Sequence, residues 1–262
     1  MKKIILYGYG YVGKAVEELF KNHYQLIIKD PGLNMNPSDE DLAEPELAII
    51  CVPTPSNKDG SCDTSIVEEI VRNIPQKLIL IKSTVEPGTT QALIDMTKKD
   101  IVFSPEYVSE STYNNPYFKS MQENPFVILG GSAKARSKII EYLEIIYGPM
   151  VKFFQCNSTE AELIKYMANI YSALKITFVN EMYDLSKSLG IDWHTVREGW
   201  LLDDRVEPMS TMVFSSKRGF DGKCLPKDTL ALIKLAQKQG LELELLSSIN
   251  RQNKKYAEDR LK

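Results

Sequence analysis

Histidine is almost absent, His23 and His194 being the only two in 262 residues. That removes the commonest ligand of a bound transition metal. The four cysteines, Cys51, Cys62, Cys156 and Cys224, lie far apart with no C-x-x-C pair, so neither a zinc site nor a disulfide framework is expected. No apolar run reaches membrane-spanning length, and Met1-Lys2-Lys3 leads straight into a strand pattern. The expectation is therefore a cytoplasmic protein without a signal peptide or membrane partner. Basic excess is also missing: 32 Lys and Arg against 35 Asp and Glu leave a net charge of −3, which gives no electrostatic footing for nucleic acid. Internal repeats and low-complexity segments are lacking too. What is there, 43% hydrophobic and 26% charged residues, describes a globular chain long enough for two domains.

The first motif follows the first strand. Lys3 to Tyr7 is short and apolar; Gly8, Tyr9, Gly10, Tyr11, Val12 and Gly13 come next, and Val16, Leu19 and Phe20 continue at helical spacing. This is G-x-G-x-x-G between strand and helix, where the glycines permit a tight turn, close approach of a pyrophosphate and close helix packing. The strand from Gln25 to Lys29 ends in Asp30. An acid there binds ribose hydroxyls and repels an extra phosphate, so NAD is expected in preference to NADP.

Strand and helix patterns then alternate to about residue 157, which predicts a Rossmann-like, doubly wound, mainly parallel α/β sheet over 1–157. Ligands of such sheets bind beyond the carboxyl ends of the strands. Three strand ends qualify: Pro53-Thr54-Pro55, Ser83-Thr84, and Ser104-Pro105-Glu106 with Glu110 beyond. From Ser158 the pattern becomes all-helical, giving a second domain over 158–262. Ser158-Thr159-Glu160 reads as a capped start, and the segment runs free of Gly and Pro to Leu189. One central helix of roughly 30 residues is too long for a small domain alone and suits an interface. Lys165 and Asn169 on it are spaced to face one way, although such a pair by itself also suits a solvated face.

The stretch from Gly219 to Asp228 carries the candidate chemistry. Pro226 fits the first turn of a helix continued by Leu230, Ile233 and Leu235. Cys224 thus stands just before a helix N-terminus, where unpaired N–H groups and the dipole favour a thiolate. Lys227 adds positive charge, Asp228 lies within reach of the sulfur or a water beside it, and Gly219 and Gly222 allow close backbone approach. Taken alone, the same residues also describe a capped helix beside a buried cysteine.

In order, Gly-x-Gly-Tyr-Val-Gly, Val52-Pro53-Thr54-Pro55, Lys82-Ser83-Thr84, Ser104-Pro105-Glu106, Lys165-x-x-x-Asn169, Asp203-Asp204-Arg205 and Cys224-Leu225-Pro226-Lys227-Asp228 resemble the UDP-glucose and GDP-mannose dehydrogenases over nearly the whole chain. The resemblance implies NAD-dependent oxidation of a sugar C6 alcohol to a carboxylate by two hydride transfers. Cys224 would form a thiohemiacetal and then a thioester, Lys165 and Asn169 would stabilise the oxyanion, and Asp228 with Thr84 and Glu106 would handle water and protons. It further implies cofactor contacts from Gly8 to Gly13, Asp30, Pro53, Thr54, Thr84 and Glu110. Substrate contacts would come from Glu106, Lys165, Asn169, Arg205, Gly219, Phe220, Gly222 and Lys227. A homodimer through the long helix, with Arg205 reaching across, is implied as well. The chain departs from the family where Asp221 replaces a glycine before Cys224, where only a short segment joins Asp30 to the strand at Leu47, and where relatives continue into a third domain. A carboxylate at Asp221 is expected to raise the thiol pKa unless it points away, and nucleotide-sugar affinity is expected to be low or completed by a partner. Two other readings stand beside this one: a two-electron NAD-dependent hydroxy-acid dehydrogenase, and a non-catalytic NAD-binding partner protein.

Overall fold

The computed structural model describes residues 1–108 and 120–259; Glu110 lies outside them. The chain forms two compact units, Met1–Pro55 with Cys62–Lys165, and Ser56–Ser61 with Tyr166–Lys262.

The first unit is built on a seven-stranded sheet: β1 (Lys3–Tyr7), β2 (Gln25–Lys29), β3 (Leu47–Ile50), β4 (Leu78–Ile81), β5 (Asp100–Phe103), β6 (Phe126–Gly130) and β7 (Lys152–Cys156), ordered β2-β1-β3-β4-β5-β6-β7. All neighbours are parallel except β5 and β6, which meet antiparallel through Phe103 and Gly130 alone. Side chains alternate across the pleat, so every central strand serves two cores. Ile4, Leu6, Leu47, Ile49, Leu80 and Val102 face α1 (Tyr11–Phe20) and α5 (Ala133–Tyr147). Ile5, Ala48, Ile50, Ile79, Ile81 and Phe103 face α3 (Ser65–Asn73) and α4 (Thr89–Thr97). Each such Ile or Leu contributes about 1.5–3 kcal/mol by burial. The chain turns from β2 back past β1 to β3, so the topological switch lies between β1 and β3, where the crevice of these sheets opens. The short segment between Asp30 and Leu47 holds a 3-10 turn, Pro31–Leu33, and one five-residue helix, α2 (Asp39–Ala43).

The long helix α6 runs Ser158–Ser188, 31 residues. Its start differs from the sequence expectation: the cap is Asn157, whose Oδ1 accepts from Glu160 N–H at 2.9 Å while Glu160 accepts from Asn157 N–H at 2.9 Å. This is a capping box shifted by one residue, and Ser158 is instead a buried first residue of the helix. The second unit consists of most of α6 with α7 (Trp193–Trp200), α8 (Leu225–Lys238) and α9 (Glu244–Asp259). It has its own small cores, Ala173, Phe220 and Ile249 in one, Val179, Trp193 and Val213 in the other. Among the described residues no helix is long and apolar enough to cross a membrane.

Glu162 on α6 is fully buried and accepts from the N–H groups of Gly88, at 2.6 Å, and Thr90, at 2.8 Å. It thereby caps α4, whose own N-cap, Gly88, has no side chain to do so. Burial outweighs these hydrogen bonds and raises the Glu162 pKa from 4.5 to about 7. A folded-state pKa above the unfolded one stabilises the fold fully below 4.5, and that contribution is lost as pH rises through 7. Stability should accordingly fall by on the order of 3 kcal/mol between pH 4.5 and 8. Urea titrations across that range should show the slope in the wild type and its loss in Glu162→Gln.

Candidate active site

Gly8 follows β1 at φ +88°, and a Cβ there would stand 2.8 Å from the Cys51 carbonyl and Val52 nitrogen. The turn therefore passes directly against the end of β3, and only glycine allows it. A Cβ on Gly13 would lie 2.2 Å from Gly8 O, whereas one on Gly10 would meet nothing within 4 Å. Gly10 is the N-cap of α1 and offers no capping side chain. Open space thus adjoins Gly10 at the start of α1, the end of a helix at which a dinucleotide pyrophosphate binds in motifs of this kind. Asp30, at the end of β2, accepts from Tyr9 N–H at 2.7 Å, which sets an acid beside the glycine turn. Tyr11 is exposed and Val12 half-buried. The chemistry of these residues fits NAD.

The ends of β3 and β4 are tied together by hydroxyls. Ser83 Oγ donates to Val52 O and Thr54 Oγ1 donates to Thr84 O, both at 2.7 Å; Pro53 beside them is exposed. Beyond β5, Glu106 is buried. Its Oε1 accepts from the N–H groups of Tyr107 and Val108 at 2.7 Å, and its Oε2 lies 3.7 Å from Lys82 Nζ. Lys82, equally buried, also donates to Ser104 Oγ at 3.2 Å. Lys165 donates to the Glu106 main-chain carbonyl and lies 5.1 Å over the Tyr107 ring, whose hydroxyl burial pushes up to about 12. Thr54 with Thr84, and Lys82 with Glu106 and Lys165, are thus two joined clusters within the first unit. Lys165 is half-buried, not a solvated decoration.

In the second unit, Cys224 is the exposed N-cap of α8. Asp228 N–H closes the first turn on Cys224 O at 2.9 Å, with Pro226 inside it. Asp228 is 1% exposed. Its Oδ2 accepts from Asn169 Nδ2 at 2.5 Å, and its Oδ1 pairs with Lys227 Nζ at 2.7 Å. Asn169 is therefore joined to a buried carboxylate and is not part of a solvated face. The Lys227 ammonium lies 2.7 Å from Asp228 Oδ1, and a carboxylate so deeply buried requires such a counter-charge. Phe220, expected at the substrate, has its ring in the core beside Ala173 and Ile249, where an aromatic of that size gains most by burial. Gly219 and Gly222 adopt φ +70° and +81°. A Cβ on Gly222 would meet nothing within 4 Å. The Asp221 carboxylate pairs with Lys217 at 3.3 Å, so a cation offsets its effect on the loop. Arg205 is exposed and folded onto Asp203 of its own loop, with contacts of 2.9 and 2.5 Å.

Lys82 is not among the site residues expected from the sequence, and neither are Asn180 and Asn253, which hold the loop before Cys224. Lys82 had a signal: a cation directly following the apolar run Leu78–Ile81 has to find a buried partner. The two asparagines had none, being single polar residues inside helical patterns.

Profiles of two domains match the chain: "UDP-glucose/GDP-mannose dehydrogenase family, NAD binding domain" over residues 15–151, and the central domain of the same family over 159–255. The chain is 31% identical to UDP-glucose 6-dehydrogenase TuaD of Bacillus subtilis, over 80% of this chain and 46% of that one. It is 30% identical to a GDP-mannose 6-dehydrogenase of Pseudomonas savastanoi, over 79% of this chain and 50% of that one. It spans about half the length of these curated relatives. A UDP-glucose dehydrogenase from Pyrobaculum islandicum superposes with a TM-score of 0.82 at 26% identity, over 97% of this chain and 68% of that one.

Removing Lys82 leaves Glu106 buried without its cation. Lys82→Met should cost about 3 kcal/mol in urea denaturation, and the double variant Lys82→Met/Glu106→Gln should recover most of it.

Proposed function

The chain belongs to the UDP-glucose/GDP-mannose dehydrogenase family, and from that membership we propose that it oxidises the C6 alcohol of a nucleotide sugar such as UDP-glucose to the carboxylate in two steps, acting in the cytoplasm. Residues 1–157 serve as the NAD-binding domain and 158–262 as the helical domain that carries the nucleophile. The observation that bears most weight is at α8: an exposed Cys224 at a helix start, one turn before a buried carboxylate that accepts a hydrogen bond from Asn169 and forms an ion pair with Lys227.

The chain's own residues divide the work. Asp228 takes the proton that leaves the sugar hydroxyl, directly or through a water, with Thr84 and Glu106 orienting that water. Cys224 attacks the resulting aldehyde carbon as a thiolate, and the carbonyl oxygen takes up negative charge. Lys165 and Asn169 donate toward that oxygen. Sulfur suits the role because the thioester left after the second oxidation is more readily hydrolysed than a serine ester, and because a thiol ionises far more easily than a hydroxyl. Water then cleaves the thioester, releasing the carboxylate and restoring the thiol. Gly8 to Gly13 and Asp30 would hold NAD, which would supply the hydride acceptor, one molecule for each of the two oxidations.

Purified protein given UDP-glucose and NAD should form two NADH per sugar consumed, and Cys224→Ser should form no acid. One NADH per substrate, with indifference to thiol alkylation, would favour a hydroxy-acid dehydrogenase instead. Binding of NAD without any turnover would favour a non-catalytic partner protein.

The dimer belongs to the same reading and rests on α6. Met167, Tyr171, Phe178 and Leu185 are 47–60% exposed and recur at spacings of four and seven, which forms one apolar stripe along a helix. A second copy is the occupant that would cover it, with Arg205 reaching toward that copy's substrate. Sedimentation should give a dimer for the wild type and a monomer for Tyr171→Glu.

A further inference from the structure

The nucleophile is only as well placed as the loop that precedes it, and two buried carboxamides hold that loop. Asn253 on α9 is 8% exposed. Its Oδ1 accepts from Phe220 N–H at 2.7 Å and its Nδ2 donates to Phe220 O at 2.9 Å. One side chain thus satisfies both peptide groups of one residue, as a facing strand would in an antiparallel ladder. Asn180 on α6, 2% exposed, spends its Nδ2 on Ile176 O at 2.7 Å. Its Oδ1 is left to accept from Gly219 N–H at 3.2 Å and Arg218 Nε at 2.6 Å. The Arg218 guanidinium packs over Tyr183 at 4.6 Å and Tyr256 at 4.8 Å, and pairs with Asp184 at 2.8 Å. Residues 218 to 220 are therefore anchored to two helices, whereas Asp221, Gly222, Lys223 and Cys224 are all exposed.

From this geometry we infer that Asn253, seconded by Asn180, is a positioning residue for Cys224. The exposed stretch has one end fixed on Phe220 and the other on the first turn of α8, so its length leaves little freedom for the sulfur. Loss of the Phe220 clamp frees one end. Misplacement of a reacting atom by about 1 Å costs up to roughly a hundredfold in rate. The inference rests on the reading of Cys224 as nucleophile, but the alkylation and hydrogen-exchange arms of its test do not.

Asn253→Ala is compared with Ile249→Ala, which loosens the same α9 contact with Phe220 while leaving the clamp intact. In Asn253→Ala, alkylation of Cys224 by iodoacetamide, followed by mass spectrometry of its peptide without substrate, should slow roughly threefold or more. With UDP-glucose, kcat should fall about tenfold at an unchanged KM for NAD. Ile249→Ala should keep the wild-type alkylation rate and kcat. An unchanged or faster alkylation rate in Asn253→Ala, or equal effects in both variants, overturns the inference. Should Asn253→Ala not fold, hydrogen exchange on the wild type decides: the Phe220 amide should exchange about a hundredfold more slowly than that of Gly222, and equal rates overturn it. A wild type inactive on nucleotide sugars would defeat the dehydrogenase reading and leave the alkylation and exchange comparisons standing.

Discussion

A carboxylate is kept inside a protein only where something answers its charge, and the chemistry-bearing parts of this chain are arranged around three solutions to that demand. Glu106 is met by a buried lysine and by the amides of its own loop. Asp228 is met by the lysine next to it and by an asparagine from α6. Glu162 is met by the start of a helix, through the N–H groups of Gly88 and Thr90. The first two belong to the residues that the proposed reaction uses, and the third to the frame that carries them. In each case the surrounding apolar packing is what makes the partner obligatory, because water is excluded from the alternative.

The glycine turn shows the same economy in steric terms. Gly8 and Gly13 are confined by backbone atoms, while Gly10 faces open space. The motif thus combines two packing requirements with one access requirement. Only the third concerns the ligand, which is why a Gly-rich pattern identifies a dinucleotide site only when strand and helix flank it.

Much of this architecture was readable from the chain. The alternation of Ile, Leu and Val in strands such as Leu78–Ile81 dictated two covered faces, hence a doubly wound sheet, and the run without Gly or Pro after residue 158 marked the long helix. The position of Cys224 followed from Pro226, whose fixed φ and missing N–H suit a helix's first turn. What could not be read were matters of which polar atom meets which. Asn157 rather than Ser158 caps α6, since both residue types cap equally well. The Lys227 ammonium turned to Asp228, and the Phe220 ring turned inward, because burial decides between a ligand and the core and the local pattern does not report it. Asn180 and Asn253 act over separations of 39 and 33 residues, beyond any local signal.

The cap that Glu162 provides for α4 has a bearing on how the chain folds. The first turn of that helix is completed by a residue 72 positions further on, so local sequence alone does not finish it. During synthesis α4 emerges well before its cap, and its leading turn remains frayed until α6 has been made and has docked. Contacts of such sequence separation slow folding by the entropy of closing the intervening chain. The nascent sheet therefore waits for its last helix before one flank is sealed.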